Sequence, residues 1–482
     1  MKFIIKLFPE IMVKGHAVKK KMVNQLHFNL RNLLGRGIAE VETKRYWDKI
    51  EVFCQPDEAD FVRQVLLNTP GVEQFLEVEQ FHATSLDEIS ELVAAFALPK
   101  IDGKSFVVRV KRTGNHSFSS FDMERTIGAY LCRHGNPAKV DLHHPDVKIE
   151  LEYHQDQLNI VKHRRPGLGG FPLGSQGDVL SLMSGGFDST VASYLTIRRG
   201  LKTHFIFFNL GGAAHEIGVK QVALYLWEKF SASHRVMFVT IPFEDVVAEI
   251  FRSTPEPYMG VTLKRLMIMA AEKVADDMGI DALVTGESVA QVSSQTLRNL
   301  ALIDQVSEKL VLRPLAVMSK PDIMAIADQI GTREFAENMP EYCGVISQNP
   351  ITHGSFKRMA VEAKKFDYSV LDQAVASAEA IPVDSIIENV NQAQAVEIID
   401  DVGPDDVVID IRKSEMAKTH PLSMEGVLTI PFHELNRAFK KLDASKRYLL
   451  YCQKGVMSQL HAQYLRDAGF QNVKVYRPKS TG

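Results

Sequence analysis

Apolar positions along the chain change their spacing repeatedly, and each change marks an element. At the start, Lys2 to Leu7 reads as a strand, the basic stretch Val18 to Leu34 as a helix, and the residues around Ile50 to Phe53 as a second strand. A helix from Ala59 to Leu67, a Pro70-Gly71 turn, and strands near Val72 to Val78, Ser105 to Lys111 and Val147 to Tyr153 continue this α/β rhythm. The Gly- and Pro-rich run His163 to Gly174 reads as a junction. Beyond it, apolar runs at Val179 to Met183, Phe205 to Leu210, Val236 to Ile241 and Ala282 to Val284 alternate with helical patterns. The clearest helix keeps Val219, Val222, Ala223, Leu226, Trp227 and Phe230 on one face. Parallel strands need crossovers, so this alternation predicts a parallel, doubly wound sheet. The acidic stretch from Asp367 reads as a partly helical tether, and after it the strand, loop, helix and strand pattern of residues 402–482 predicts a last small α/β domain.

At 482 residues the chain exceeds what one core can organise. Apolar content of 45% and charged content of 24% are ordinary for a folded, soluble protein. Lys6 interrupts the apolar opening, so it does not read as a signal peptide, and no apolar run is long enough to span a bilayer; a cytoplasmic location is expected, without a membrane partner. Charge is uneven. Residues 100–174 hold twelve Lys/Arg against eight Asp/Glu, while residues 367–411 hold eleven Asp/Glu and no Lys/Arg. A basic module and an acidic connector follow. The four cysteines, Cys54, Cys132, Cys343 and Cys452, form no C-x-x-C pair, which argues against zinc ribbons, Fe–S sites and disulfide frameworks.

The run SGGFDS, Ser184 to Ser189, lies between a strand pattern and a helix pattern, a place suited to binding pyrophosphate. Gly185 and Gly186 allow close backbone approach to an anion, Ser184 and Ser189 offer hydroxyls, and the following helix N-terminus offers unpaired N–H groups. Asp188 adds a carboxylate that could hold Mg²⁺ or orient the group under attack. This run resembles the PP-loop of the ATP pyrophosphatase superfamily, whose members release pyrophosphate and leave AMP on a carbonyl oxygen. DGKS at Asp102 to Ser105 is a decoy: Leu98 replaces the first glycine of a Walker A motif, and a strand follows it. His143-His144 has no paired ligand cluster, so no metal site of the protein's own is expected.

Cys452 follows the apolar strand YLLY, and CQKGVMSQ then runs into the helical pattern Leu460 to Ala468. Such a loop can aim backbone N–H groups at a thiol beside a helix N-terminus, which favours a sulfur anion. It resembles the active loop of rhodanese-type sulfurtransferases, whose cysteine carries a sulfane sulfur; Met457 stands where arginine is common in that loop. Cys343, between Pro340 and Gly344 in an irregular segment, is the best candidate for the second thiol that persulfide chemistry requires. Cys54 and Cys132 read as structural.

Val107 to Arg125 interleaves cations, hydroxyls and aromatics, and Val161 to Gly167 adds a second basic cluster. RNA suits such surfaces, and Arg109, Lys111, Arg112, Lys162, Arg164 and Arg165 are the candidate contacts. Residues from about 60 to 165 resemble a THUMP domain, an RNA-binding module. Together, KFIIKLFPEI, RVKRTGNHSFSS, GGFP, SGGFDS, FNLGGAAHEIG, TGESVAQVSSQT, MPEYCGVIS and the CQKGVMS loop resemble the bacterial tRNA 4-thiouridine synthetase family across nearly the whole chain.

That resemblance implies a ferredoxin-like unit at 1–59, a THUMP domain at 60–165, a PP-loop domain at 174–366, a linker at 367–401 and a rhodanese-like domain at 402–482. It implies ATP-dependent sulfur transfer to the uridine at tRNA position eight through an adenylated intermediate, with ATP and Mg²⁺ but no bound prosthetic group. Persulfidated Cys452 attacks directly or is reduced by Cys343 to release sulfide; by either route the two cysteines finish as a disulfide that a reductant must reopen. ATP contacts carried over by motif are Leu182 and Met183 through their backbone, Lys264, Gly286 and Gln295. A cysteine desulfurase as sulfur donor and a thiamine-pathway sulfur-carrier protein are the implied partners beside tRNA, and a homodimer is plausible. The competing readings are another PP-loop adenylating synthetase, or an RNA-binding sulfur carrier whose ATP site only regulates docking.

Overall fold

The computed structural model describes the chain apart from residues 211–212, 338–348, 387–396, 413–416, 418–420, 423, 425, 431–434, 436–437, 453–457, 459–460, 463–464, 467–468 and 479–482. Its residues gather into two compact units, Met1–Ser175 and Gln176–Gly482.

In the first unit, β1 (Lys2–Leu7), β2 (Glu42–Arg45), β3 (Lys49–Phe53), β4 (Val72–His82), β5 (Ser105–Thr113), β6 (Lys139–Val140), β7 (Val147–His154) and β8 (Gln157–Pro166) build one sheet in the order β2-β3-β1-β4-β8-β7-β5-β6. Two cores lie along it. Helices α1 (His16–Leu34) and α2 (Ala59–Asn68) bury Leu26, Leu30, Val62 and Leu66 with Phe3, Ile5 and Phe75. Helices α3 (Leu86–Ile101) and α4 (Ser120–His134) bury Val93, Ala97, Ile127 and Leu131 with Phe106, Val108, Ile149 and Leu151. The long β4 joins them, pairing antiparallel with β1 along one edge and β8 along the other. Packing therefore runs on past residue 59: α2 and Phe75 bury their apolar side chains in the first core.

The second unit contains the predicted doubly wound sheet. Strands β9 (Asp178–Leu182), β10 (Lys202–Asn209), β11 (Met237–Pro242), β12 (Ala282–Val284) and β13 (Leu310–Leu312) are parallel, in the order β13-β12-β9-β10-β11. Both faces are covered. Alternate residues of β9 point opposite ways: Val179 packs with Val191 and Ala192 of α5 (Phe187–Arg198), and Leu180 belongs to the core of the opposite face. Beyond α6 (Ala213–Leu226), α7 (Met259–Asp277) and α8 (Leu297–Asp304) share Leu180's core, while α9 (Lys320–Ile330) lies with α5. Burial on both faces explains why β10 reads as an unbroken apolar run, with Thr203 to Phe208 all buried.

One expectation is corrected here. The acidic segment from 367 was read as a tether, but its first part is built into this unit. The Tyr368–Ala376 helix buries Leu371 and Ala374, and β14 (Glu379–Pro382) pairs antiparallel with β11 as an edge strand. The acidic residues mask the apolar positions Leu371, Ala374, Val383 and Ile386, all of them buried. The rest of the expected tether lies largely in 387–396, outside the described residues.

The third sheet, also in the second unit, is wholly parallel: β15 (Ile398–Ile399), β16 (Asp406–Asp410), β17 (Leu428–Thr429), β18 (Arg447–Tyr451) and β19 (Val473–Tyr476), in the order β15-β19-β18-β16-β17. Ile409, Leu450 and Val475 form its core with Leu435, Phe439 and Leu465. Among the described residues, no helix is long and apolar enough to cross a membrane.

Candidate functional site

The Ser184–Ser189 turn leaves the carboxyl end of β9, between β12 and β10, where chain connections depart in opposite directions and a parallel sheet opens a crevice. Met183 N–H still donates to the Ile206 carbonyl at 2.8 Å, and the chain then breaks from the sheet. Gly185 takes φ of +81°, a conformation costly for a side-chain-bearing residue, and Gly186 caps α5. The Ser189 hydroxyl accepts from Ser184 N–H at 3.1 Å and lies 3.0 Å from the Ser184 hydroxyl, closing the turn on itself. Below it, Ser193 donates to the Ser189 carbonyl at 2.8 Å and meets Ser181 of β9 at 2.9 Å, so buried hydroxyls tie strand, turn and helix together.

This turn borders a cavity of about 300 Å³. All the expected nucleotide contacts except Gly185 line it: Leu182 and Met183 from the strand end, Ser184, Gly186 and Ser189 from the turn, Lys264 from α7, and Gly286 and Gln295 from the loop after β12. Asp188 lines it as well. Gly286 has a steric reason. A Cβ there would stand 2.5 Å from the Asp188 carbonyl carbon and 2.6 Å from Ser189 N, so only glycine lets this loop abut the first turn of α5. Gln295 Oε1 accepts from Ser288 N–H at 3.3 Å, fixing its side chain across the same loop.

Four groups at this site escaped the sequence reading. Lys320, the first residue of α9, donates to Asp188 Oδ1 at 2.8 Å, and Gln291 Nε2 donates to Oδ2 at 2.7 Å. His215 of α6 brings Nε2 to 3.3 Å from the Ser184 carbonyl; burial pushes this imidazole's pKa down, so it sits neutral with the Nε2 proton donated to that oxygen. Glu287, buried in the cavity's lining, accepts from Thr285 Oγ1 at 3.0 Å and from Arg313 Nε at 2.9 Å. Lys320 and Gln291 lie over 100 residues from Asp188, and no local spacing connects them. His215 and Gln291 stood inside quoted motifs, where only their contacts give them a part.

In the third sheet, Cys452 directly follows β18. Its Sγ accepts from Ser458 N–H at 3.3 Å and lies 3.5 Å from the Ser458 hydroxyl, contacts that suit a sulfur anion. Arg412, after β16, forms a bidentate pair with Asp410 and stacks over Tyr451 at 5.0 Å. Burial holds His461 at a pKa of about 4, hence neutral at physiological pH. Cys343 lies outside the described residues. Cys132 was expected to pack, but it is exposed on α4, while Cys54 is half-buried and its thiol pKa is pushed up by burial.

The six cations considered for RNA divide between β5 and β8, with β7 between them. Most already have anionic or carbonyl partners. Arg109 donates to the Leu142 carbonyl, Arg112 to the Gly114 carbonyl, Lys162 pairs with Glu79, Arg164 with Glu150, and Arg165 with Glu77. Burial raises the Glu77 pKa, but hydrogen bonds from Arg63 and Arg165 outweigh it and leave the carboxyl lowered. Because Glu150 stands opposite Arg109 in the β5–β7 register, the sheet sets a carboxylate between Arg109 and Arg164. Counting charge along the chain could not show that pairing.

Known proteins place these sites in context. Residues 83–161 match the THUMP domain, residues 174–368 the family described as thiamine biosynthesis protein (ThiI), and residues 391–477 the rhodanese-like domain. The chain is 49% identical over 482 residues to a tRNA sulfurtransferase of Escherichia coli O157:H7, covering 99% of this chain and 100% of that one. A tRNA sulfurtransferase of Shigella dysenteriae serotype 1 is 48% identical with the same coverage. Among solved structures, a 4-thiouridine synthetase in complex with RNA and bound ATP superposes with a TM-score of 0.69 at 23% identity, over 79% of this chain and 99% of that one; at such identity the likeness speaks for the fold. Similarity this high over the full length shows that the chain belongs to the tRNA sulfurtransferase family.

Proposed function

We propose that this enzyme spends ATP to activate the uridine at position eight of tRNA and then replaces its C4 oxygen with sulfur, giving 4-thiouridine. The observation that carries the reading is the single cavity into which the Ser184–Ser189 turn, Lys264, Gly286 and Gln295 all face. A strand end, a serine-lined turn and a helix N-terminus are suited to a polyphosphate, and about 300 Å³ lies within the range of small-molecule sites. The solved relative described as holding RNA and ATP supports the same pair of ligands here.

The chemistry follows from the leaving groups. Uridine O4 leaves poorly, so it attacks the α-phosphorus of ATP; pyrophosphate departs toward the Ser184 turn, and AMP remains on O4. Leu182 and Met183 contact ATP by their backbone, with Gly286 and Gln295 beside them, while Lys264 partners a phosphate or the carbonyl. Asp188, a carboxylate at the cavity edge whose oxygens accept from Lys320 and Gln291, would hold Mg²⁺ through a remaining lone pair together with the phosphates, and that ion would supply charge neutralisation there. The terminal sulfur of persulfidated Cys452 then displaces AMP from C4, leaving a Cys452–S–S–C4 linkage. Cys343 thiolate attacks the Cys452 sulfur, which releases 4-thiouridine and leaves a Cys343–Cys452 disulfide; an external dithiol reduces it by two electrons. In the sulfide-release route the same disulfide forms before sulfur reaches C4. Either disulfide requires the two Cα atoms to come within about 7 Å.

In this reading residues 60–165 hold the tRNA through Arg109, Lys111, Arg112, Lys162, Arg164 and Arg165, residues 174–366 adenylate it, and residues 402–482 receive sulfur from a cysteine desulfurase. Cys452 could also pass sulfur to a carrier protein for thiazole synthesis. The test is pyrophosphate release by the purified chain. Release that requires both ATP and tRNA, and is lost in Asp188→Ala, supports the proposal; release without tRNA sinks it.

A further inference from the structure

The first turn of α6 makes contacts in three directions with three consecutive side chains. His215 donates toward the Ser184 carbonyl at the nucleotide turn, with its ring edge-on to Phe207 at 4.9 Å. Glu216 accepts from Asn209 Nδ2 at 3.1 Å and from Thr240 Oγ1 at 3.3 Å, which fixes the turn to β10 and β11. Ile217 is only 8% exposed, and the cluster that buries it consists otherwise of residues from the third sheet's domain, among them Ile409, Leu435, Leu450 and Val475. Residues two apart on a helix point about 200° apart, so His215 and Ile217 face opposite ways. One rigid turn thus touches the nucleotide site on one side and the core of the sulfur-site domain on the other.

We propose that Ile217 is the seat on which the C-terminal domain docks, and that His215 makes docking and nucleotide binding favour each other. The partner is this chain's own domain, fitted by an apolar contact that is complete only when the domain is seated. Seating holds α6, α6 holds His215, and His215 holds the Ser184 carbonyl that shapes the phosphate turn. Such coupling is reciprocal: whatever factor docking adds to ATP affinity, ATP must add to docking. This inference rests on reading the Ser184 turn as a nucleotide site.

Hydrogen–deuterium exchange of the full chain, followed at β16 and β18 with and without ATP, tests it. In the wild type, ATP should slow exchange in both strands by about fivefold or more, the lower end of measured coupling. Ile217→Asp should speed their exchange without ATP, remove the response to ATP, and weaken ATP binding by the same factor. His215→Ala should leave β16 and β18 protected but insensitive to ATP, and His215→Gln, which keeps an N–H donor, should restore the response. If Ile217→Asp does not fold, Ile217→Ala gives the same readings at smaller amplitude. A wild type that binds no ATP overturns the nucleotide reading and this inference with it. ATP binding with an unchanged response in the Ile217 variant overturns this inference alone.

Discussion

The turn at Ser184 and the loop at Cys452 occupy the same place in two different sheets. Each leaves the carboxyl end of an interior parallel strand, β9 or β18, and each leads toward a helix. In the proposed mechanism they differ in where the negative charge comes from. At Ser184 the proposed anion is a ligand, and the protein offers room and hydroxyls: Gly185 at positive φ, Gly286 against the backbone of Asp188, and the Ser184 and Ser189 side chains. At Cys452 the proposed anion is the protein's own sulfur, which already accepts from Ser458 N–H at 3.3 Å. On the proposed reading, one topology serves either to bind an anion or to present one.

The sharpest way to break this comparison is to remove one site and ask whether the other still works. Cys452→Ser is expected to abolish 4-thiouridine formation outright while leaving tRNA-dependent pyrophosphate release near the wild-type rate, read in a coupled phosphate assay. Asp188→Ala is expected to lower that release by about 10²- to 10³-fold, the size of losing one preorganised electrostatic group, without preventing persulfide loading of Cys452, read by thiol-specific labelling. Gly286→Ala should act on the nucleotide site alone. Its methyl group cannot fit against Asp188 and Ser189, and the forced shift costs about 1–3 kcal/mol, visible as lower thermal stability and weaker ATP binding.

The smallest expected effect sharpens the sulfur side. His461, in the same domain as Cys452, is buried with a pKa of about 4, below the ordinary histidine value of about 6.5. Between those values the unfolded chain binds a proton that the native chain does not, so this contribution is whole above about pH 6.5 and lost progressively as pH falls toward 4. Urea unfolding at pH 7 and pH 5 should show the C-terminal transition moving to lower urea at the lower pH. His461→Gln should shrink that difference, and an undiminished difference would assign it to other groups.

The sequence showed the Ser184–Ser189 turn between strand and helix plainly because its pattern is local: two glycines, two hydroxyls and a carboxylate follow one another there. The parallel sheet was legible for the same reason, since strands buried on both faces are apolar throughout, as in β10. What escaped was set by distance or by burial against composition. Lys320 meets Asp188 across 132 positions, and no spacing rule reaches so far. Edge strand β14 hid in an acidic stretch because its neighbours' charges lie on the outer side while Leu371 and Val383 are buried. The basic patch looked freer than it is, because Glu77, Glu79 and Glu150 come to it from other strands.

The most direct test of the account measures 4-thiouridine, by mass spectrometry of tRNA nucleosides, in cells lacking this gene and complemented with wild type, Asp188→Ala or Cys452→Ser. The account predicts loss of the nucleoside in the deletion, rescue by wild type, and failure of both variants, since activation and sulfur delivery are separate and both necessary. Rescue by Cys452→Ser would contradict it, by showing that sulfur reaches the activated uridine without the sulfur site at the end of β18.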